Sequence, residues 1–431
     1  MKRISALAAL AAALPLLAAN FRAGAAKVDI TPTDSQWLMG YAARQSAGVH
    51  DHIYHRVTAL DDGVTQFYLI ASDLCLFSPT IYHAVAVRLQ REIGLNPMNL
   101  WWSVSHSHAT PEVGPPEIYK SLLGRSDHEW NRDYAALVEN AAVQGVKEAK
   151  ANLEPARVAV GTGVAFANMN RRAKDVDGQI SLGLNPDGPM DRQIGLLRVE
   201  RPDGTPVAII ANYAMHGTVM SGANLEISGD GPGVAAAYVE SKVGVPVLFV
   251  NGAAGNLAPI YSVYANASSG HLSQFQVLLG DRILAGLKRL GTATSSVSLS
   301  SSEKTIETPM RAGLDWPAEM NAYAQLSPGP SRVKLPVRFI RINDAMIWSA
   351  PVEMFCEIAT AVRDRSPFTN TFFFGYTNGW MGYLPTREAF EEGGYEPKTS
   401  VFTAAAEQDV LDGVITYLQS LRHYEIGSAN H

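Results

Sequence analysis

In His106-Ser107-His108 two imidazoles stand two residues apart. On an extended backbone side chains at that spacing project to the same side, so both rings can reach one point just beyond a strand end. That suits one metal ligand with a second imidazole beside it, although a lone pair of this kind is a weak sign and describes backbone-bonded loop histidines equally well. A third histidine, His216, closes another apolar run, and Glu353 supplies a carboxylate further along. Two histidines and a carboxylate at separate element ends would make an open site with room for water, the arrangement catalytic zinc needs. A rival set, His50, His52 and His55, has superficially better spacing, but alternation puts His55 on the face opposite the other two. Nucleophile and phosphate-loop signatures are missing, and Gly161-Thr162-Gly163 lacks the third glycine and acidic partner of a dinucleotide fingerprint. Metal-activated water is therefore the leading chemistry.

Such groups have to be carried by strands that end together. The runs Phe67 to Asp73 and Leu100 to Ser105 read as strands, and the amphipathic stretch Ile81 to Ile93 between them reads as a helix. A strand-helix-strand unit predicts parallel neighbours, with Asp73 and His106 at carboxyl ends, the edge where open α/β sheets bind ligands. The turn Arg201-Pro202-Asp203-Gly204 joins Ile194 to Glu200 with Val207 to Tyr213 as a hairpin whose second strand runs into His216. Val245 to Val250 is a strand emptying into the small-residue loop Asn251 to Asn256. Ala345 to Ser349 leads to Pro351, a favourable first helical residue, which predicts a helix to about Arg365 with Glu353 in its first turn. Helices are also expected over Asn131 to Asn152, as an outer layer, and over Ala404 to Arg422. The expected class is α/β, one large domain with a mixed β-sheet covered by helices and a zinc site at strand carboxyl ends.

Composition narrows the partners. With 47% hydrophobic residues among 431 the chain has a well-filled core, and its net charge of −6 offers no basic stripe for nucleic acid. Met1-Lys2-Arg3 followed by the apolar run Ile4 to Ala19 has the form of a secretory signal peptide over residues 1–19, leaving 20–431 as the domain and placing the protein in the periplasm or outside the cell. That run is shorter than the roughly 20 residues of a comfortable span, so no stable membrane span is expected after its removal. Cys75 and Cys356 lie in apolar segments, as consistent with two buried thiols as with one bridge.

An ordered set of blocks then resembles the catalytic domain of the neutral ceramidases. It runs from Ala23-Gly-Ala-Ala-Lys-Val-Asp-Ile-Thr-Pro32 and Met39-Gly-Tyr-Ala42 through Ser105-His-Ser-His-Ala-Thr-Pro111, Asn212-Tyr-Ala-Met-His-Gly-Thr218 and Ile227-Ser-Gly-Asp230. It continues through Ala254-Gly-Asn-Leu-Ala-Pro259, Pro351-Val-Glu353 and the stretch Gly375 to Thr386, ending at Gly394-Tyr-Glu396. The resemblance implies zinc bound by His106, His216, Glu353 and Tyr383, with His108 facing the substrate and Tyr395 and Arg171 assisting. It implies hydrolysis of the amide of an N-acyl lipid of ceramide type. Where the family carries a serine this chain has Ala258, which points to the alternative of an amidase or esterase for another, soluble, acylated compound. The immunoglobulin-like domain of larger members is not expected here. A third reading is an exported binding protein that kept the fold and lost turnover.

Overall fold

The computed structural model describes residues 21–428 apart from 115–116, 126–127, 262–268 and 327–328; the expected signal segment lies outside the described residues. The fold is α/β, with mixed β-sheet covered by helices, and its strands form three larger hydrogen-bonded sheets beside smaller ones, among them Leu257–Pro259, Asn168–Lys174 and Ile180–Asn185. In the first, the order is Leu100–Val104, Gln66–Ser72, Tyr54–Asp61, Arg22–Asp29 and Glu154–Pro155. The second runs Val247–Asn251, Pro206–Tyr213, Gln193–Glu200 and Arg157–Val164. The third has Leu299–Pro309, Arg332–Ile342, Ala345–Ser349 and Asn370–Phe374 in that order, with Ala324–Gln325 beside Arg332–Ile342. Each of the three larger sheets is antiparallel except for one parallel pair at an edge.

The sheets pack on one another through an inner core that takes Trp101 and Leu69 from the first, Ile210 and Leu248 from the second, and Ile347 and Phe374 from the third. Sheets buried on both faces need a second apolar layer, and helices supply it. Pro79–Ile93 and Arg132–Ala151 cover the first sheet, Asp230–Val243 and Asp281–Arg289 the second, and Cys356–Arg365 with Ala406–Ser428 the third. The expected parallel pairing of the strands around Leu69 and Trp101 is found, Ser78 caps the intervening helix through the Thr80 amide, and Gly94 ends it at φ 67°.

Buried asparagines stitch the sheets together at the ends of the parallel pairs. Asn251 Nδ2 donates to the carbonyls of Ser105 (2.9 Å) and Met215 (2.8 Å), which joins the first sheet to the second. Asn212 Nδ2 reaches Val250 O and Phe373 O, and Asn378 exchanges bonds with the Trp102 backbone, which brings in the third.

Two expectations need correction or completion. No helix begins at Pro351: Glu353–Met354 is a short strand parallel to Tyr383–Leu384, and the helix starts at Cys356. The reason is that Glu353 N bonds Gly382 O, Phe355 N bonds Leu384 O and Met354 O accepts from Gly255 N, so these groups serve other segments rather than a helical turn. Cys75 and Cys356 are both buried free thiols. Among the described residues no helix is long and apolar enough to cross a membrane.

Candidate metal centre

One cluster collects residues that follow the parallel edge pairs of the three larger sheets. Cys75 and His106 come after the pair in the first, His216 and Ala258 after the pair in the second, and Glu353, Tyr376 and Tyr383 after the pair in the third. The connecting segments approach so closely that side chains do not fit between them. A Cβ on Gly217 would stand 2.6 Å from Ser107 Cα, and one on Gly255 would stand 2.5 Å from Glu353 O. His106 and Tyr376 take φ values of 63° and 51°, a conformation that costs an L-residue roughly 1–2 kcal/mol, and their rings stack 4.4 Å apart. Strain at two contacting residues is expected where surrounding structure holds a site in place.

The histidine tautomers follow from their partners. His106 Nδ1 lies 3.1 Å from Cys75 O and His216 Nδ1 lies 3.0 Å from Leu257 O. A carbonyl only accepts, so each Nδ1 carries the proton and each Nε2 turns toward the cluster. There Glu353 Oε2 is 3.2 Å from both Nε2 atoms, and Tyr383 Oη is 3.4 Å from His216 Nε2. Donors held about 2.0–2.1 Å from a tetrahedral zinc would stand roughly 3.3 Å from one another. The spacing and the N/O donor set therefore fit a zinc-sized ion, and His106, His216 and Glu353 form a candidate metal-binding group. Arg171 Nη1 lies 2.8 Å from His216 Nε2, so a cation at that nitrogen displaces this one bond while Arg171 keeps those to Tyr383 Oη (3.0 Å) and Glu396 (3.0 Å).

Burial and charge set the protonation of the cluster. Burial opposes the His106 imidazolium, but the Glu353 carboxylate outweighs it and lifts the group to about 10. Burial and then the Arg171 charge press His216 down to about 3. Glu353 is held well below the carboxylate range because the charge and hydrogen bond of His106 overcome its burial. Burial pushes the Tyr383 phenol well above its ordinary value. A divalent cation would take over the part of the His106 proton in neutralising Glu353, and would favour the phenolate form of Tyr383.

A match to the model of the family described as "Neutral/alkaline non-lysosomal ceramidase, N-terminal" covers residues 21–273. The chain belongs to the neutral/alkaline ceramidase family. It is 27% identical to neutral ceramidase B of Dictyostelium discoideum over 264 residues, 59% of this chain and 35% of that protein. It is 27% identical to the neutral ceramidase of Pseudomonas aeruginosa over 258 residues, 56% of this chain and 37% of that one, so the matched region spans about a third of these relatives' own length. In fold it matches the crystal structure of the Pseudomonas aeruginosa neutral ceramidase with a TM-score of 0.74 at 20% identity, covering 93% of this chain and 75% of that one.

In this ceramidase-family chain the cluster forms the floor of a cavity of about 610 Å³. His106, His108, Arg171, Glu353, Tyr383 and Tyr395 all border it, and the fully buried His216 joins them through Glu353 and Tyr383 without lining the cavity. Leu76, Leu122, Leu123 and Leu182 give it apolar walls, and Ala258 lies among the lining residues. The rival histidines do not converge: His50 pairs with Asp51 and His52 with Asp29 at the surface. His55 is buried in a relay in which Trp102 Nε1 donates to Ser72 Oγ, Ser72 donates to His55 Nδ1, and His55 Nε2 donates to Val138 O.

Three residues that position the cluster were not singled out from the sequence. Trp380 Nε1 donates to Glu353 Oε1 at 2.8 Å, Tyr376 Oη donates to Glu353 Oε2 at 3.2 Å, and Glu396 bridges Arg171 and Arg172. All three lay within the resemblance blocks, the only signal that could have found them.

Proposed function

We propose that this ceramidase-family protein is a zinc-dependent amide hydrolase that cleaves N-acyl lipids of ceramide type into a fatty acid and a sphingoid base. The observation carrying this reading is the 3.2 Å spacing of Glu353 Oε2 from His106 Nε2 and His216 Nε2, with Tyr383 Oη 3.4 Å from His216 Nε2, beside a partly apolar cavity. In it those four residues bind zinc beyond the carboxyl ends of the parallel strands. Zinc there would supply Lewis acidity and a water of lowered pKa.

The remaining chemistry belongs to the protein's own groups. Arg171 stays charged, stabilised by Tyr383 and Glu396 against its burial, and borders the cavity. Tyr395, raised to about 12 by burial, keeps its proton at neutral pH and is a hydrogen-bond donor there. Both would donate to the amide oxygen as charge gathers on it, the step at which such donors contribute most. His108 is held neutral by burial and by the neighbouring His106, and presents an uncharged imidazole to the substrate. Leu76, Leu122 and Leu123 would line the path of the acyl or sphingoid chain. In this reading residues 1–19 export the protein, which then acts in the periplasm or outside the cell.

Ala258 on the cavity wall favours a second reading, an amidase or esterase for a different acylated compound, because a wall without the family's hydroxyl lacks one means of orienting a polar substrate group. A substrate panel of N-acyl sphingosines, N-acyl amino acids and acyl esters, run on the wild type and the His106→Ala and Ala258→Ser variants, separates them. Release of fatty acid from N-acyl sphingosine by the wild type and not by His106→Ala upholds the first reading. Hydrolysis confined to the other compounds, even with Ala258→Ser, replaces it with the second.

A further inference from the structure

His108 borders the cavity, yet among the described residues its Nδ1 has no hydrogen-bond partner and its Nε2 meets only His106 Nε2 at 3.1 Å. Nothing polar beyond that contact fixes the ring, so its orientation depends on what is packed around it. On one side stands the turn from Leu38 to Arg44, closed by Leu38 N to Arg44 O and tied to the chain beyond His108 by Met39 N to Thr110 O. Gly40 lies so close that a Cβ there would be 2.4 Å from His108 Nδ1, and the Tyr41 ring meets the imidazole edge-on at 4.9 Å. Both residues hold positive φ, 74° at Gly40 and 54° at Tyr41, which for an aromatic residue is an outlier that its surroundings must enforce.

Two guanidinium groups enforce it: Arg125 donates to Tyr41 O at 3.1 Å and to Leu38 O at 3.2 Å, and Arg44 ties the same turn to His108. Arg44 Nη1 donates to Gly40 O at 2.7 Å, its Nη2 to His108 O at 2.6 Å and its Nε to Asn224 O at 2.9 Å. One planar fork thus joins three segments that each border the cavity: the Gly40–Tyr41 turn, the His106–His108 segment, and the loop after His216 whose Gly222 packs on the Tyr41 ring. Among the described residues no carboxylate pairs with this half-buried guanidinium, and its charge-assisted bonds go to backbone carbonyls. We propose that Arg44 is the positioning residue of His108, holding the Gly40–Tyr41 turn and the His108 backbone in one frame that fixes the imidazole over the cavity. The consequence for turnover rests on the proposed amide hydrolysis; the consequence for the ring does not.

The test uses Arg44→Met and Arg44→Lys in the zinc-loaded full chain, alone and combined with His108→Ala. Arg44→Met is expected to keep its zinc and lower kcat on N-acyl sphingosine by roughly 10- to 100-fold with KM within about threefold, the size of effect that a small misplacement of a reacting group produces. In the His108→Ala background the same change should cost less than about twofold, because a positioning residue has nothing left to position. Arg44→Lys, which keeps the charge and one bond, should recover part of the loss and serves alone if Arg44→Met does not fold. The imidazole resonances of His108, assigned through their loss in His108→Ala, should shift in Arg44→Met while those of His106 and His216 stay in place. That spectrum is readable even if the wild type turns over no N-acyl substrate, which would end the hydrolase reading alone. Additive loss in the double variant, an unmoved His108 resonance, or release of zinc by the Arg44 variants would overturn the proposal.

Discussion

Replacing Trp380 by phenylalanine removes one N–H and tests whether Glu353 is a metal ligand held by its surroundings. The indole Nε1 donates to Glu353 Oε1 at 2.8 Å while Oε2 faces the two histidines, so this bond sets the rotation of the carboxylate. A hydrogen bond to a charged group contributes roughly 1.5–3 kcal/mol, which at about 1.4 kcal/mol per decade is a ceiling of roughly 10- to 150-fold in affinity. Part of that cost falls on the metal-free protein, where the freed carboxylate can turn further toward His106 and His216. Zinc affinity is therefore expected to fall about tenfold or more, in the range found when an outer partner of a ligand is removed. Trp380 is 1% exposed, and the smaller ring also costs the fold roughly 1–3 kcal/mol. Competition against a chelator measures the first effect and urea unfolding of the metal-free protein the second. A zinc affinity within about threefold of wild type, in a variant that folds normally, would refute the reasoning.

Other perturbations probe the same framework. Gly255→Ala places a methyl 2.5 Å from Glu353 O, against backbone that cannot yield cheaply, and is expected to lower both zinc content and the thermal midpoint; a stable, fully zinc-loaded variant would contradict it. Glu396→Gln leaves the buried Arg171 without its carboxylate, and a loss of about 3–5 kcal/mol is expected in urea unfolding, against little change if that ion pair is dispensable. His55, pressed by burial to about 4, is neutral in the folded protein and takes a proton near 6.5 when unfolded, so its contribution is complete above pH 6.5 and is lost as the pH falls to 4. Over that window roughly 3 kcal/mol of acid destabilisation should disappear in His55→Gln, read as a flatter dependence of unfolding free energy on pH than in wild type; equal slopes would exclude it.

Much of the first half of this site was legible before the structure. The strands around Leu69 and Trp101 declare themselves because both faces are buried and the run is almost wholly apolar. His106 and His216 follow such runs, which is why strand ends nominated them. Glu353 was nominated for the wrong local reason: Pro351 suits a helix start, but the backbone of Glu353 and Met354 pairs with Gly382, Leu384 and Gly255. Such long-range pairing leaves no periodicity to read. Tyr383, Tyr395 and Arg171 entered only through the family resemblance, since their partners lie far away in the chain. Trp380 and Glu396 carry no spacing signal for the same reason. The division into separate sheets was hidden because it depends on side chains such as Asn212, Asn251 and Asn378, whose bonds cross between sheets.

The proposed zinc-dependent amide hydrolysis is tested most directly by fatty-acid release from labelled N-acyl sphingosine, with zinc stoichiometry determined in the same samples before chelation, after chelation and after zinc is restored. Activity that vanishes with the metal and returns with about one zinc per chain is the expected result. Undiminished release by metal-free protein, or zinc-loaded protein that releases nothing, would contradict it.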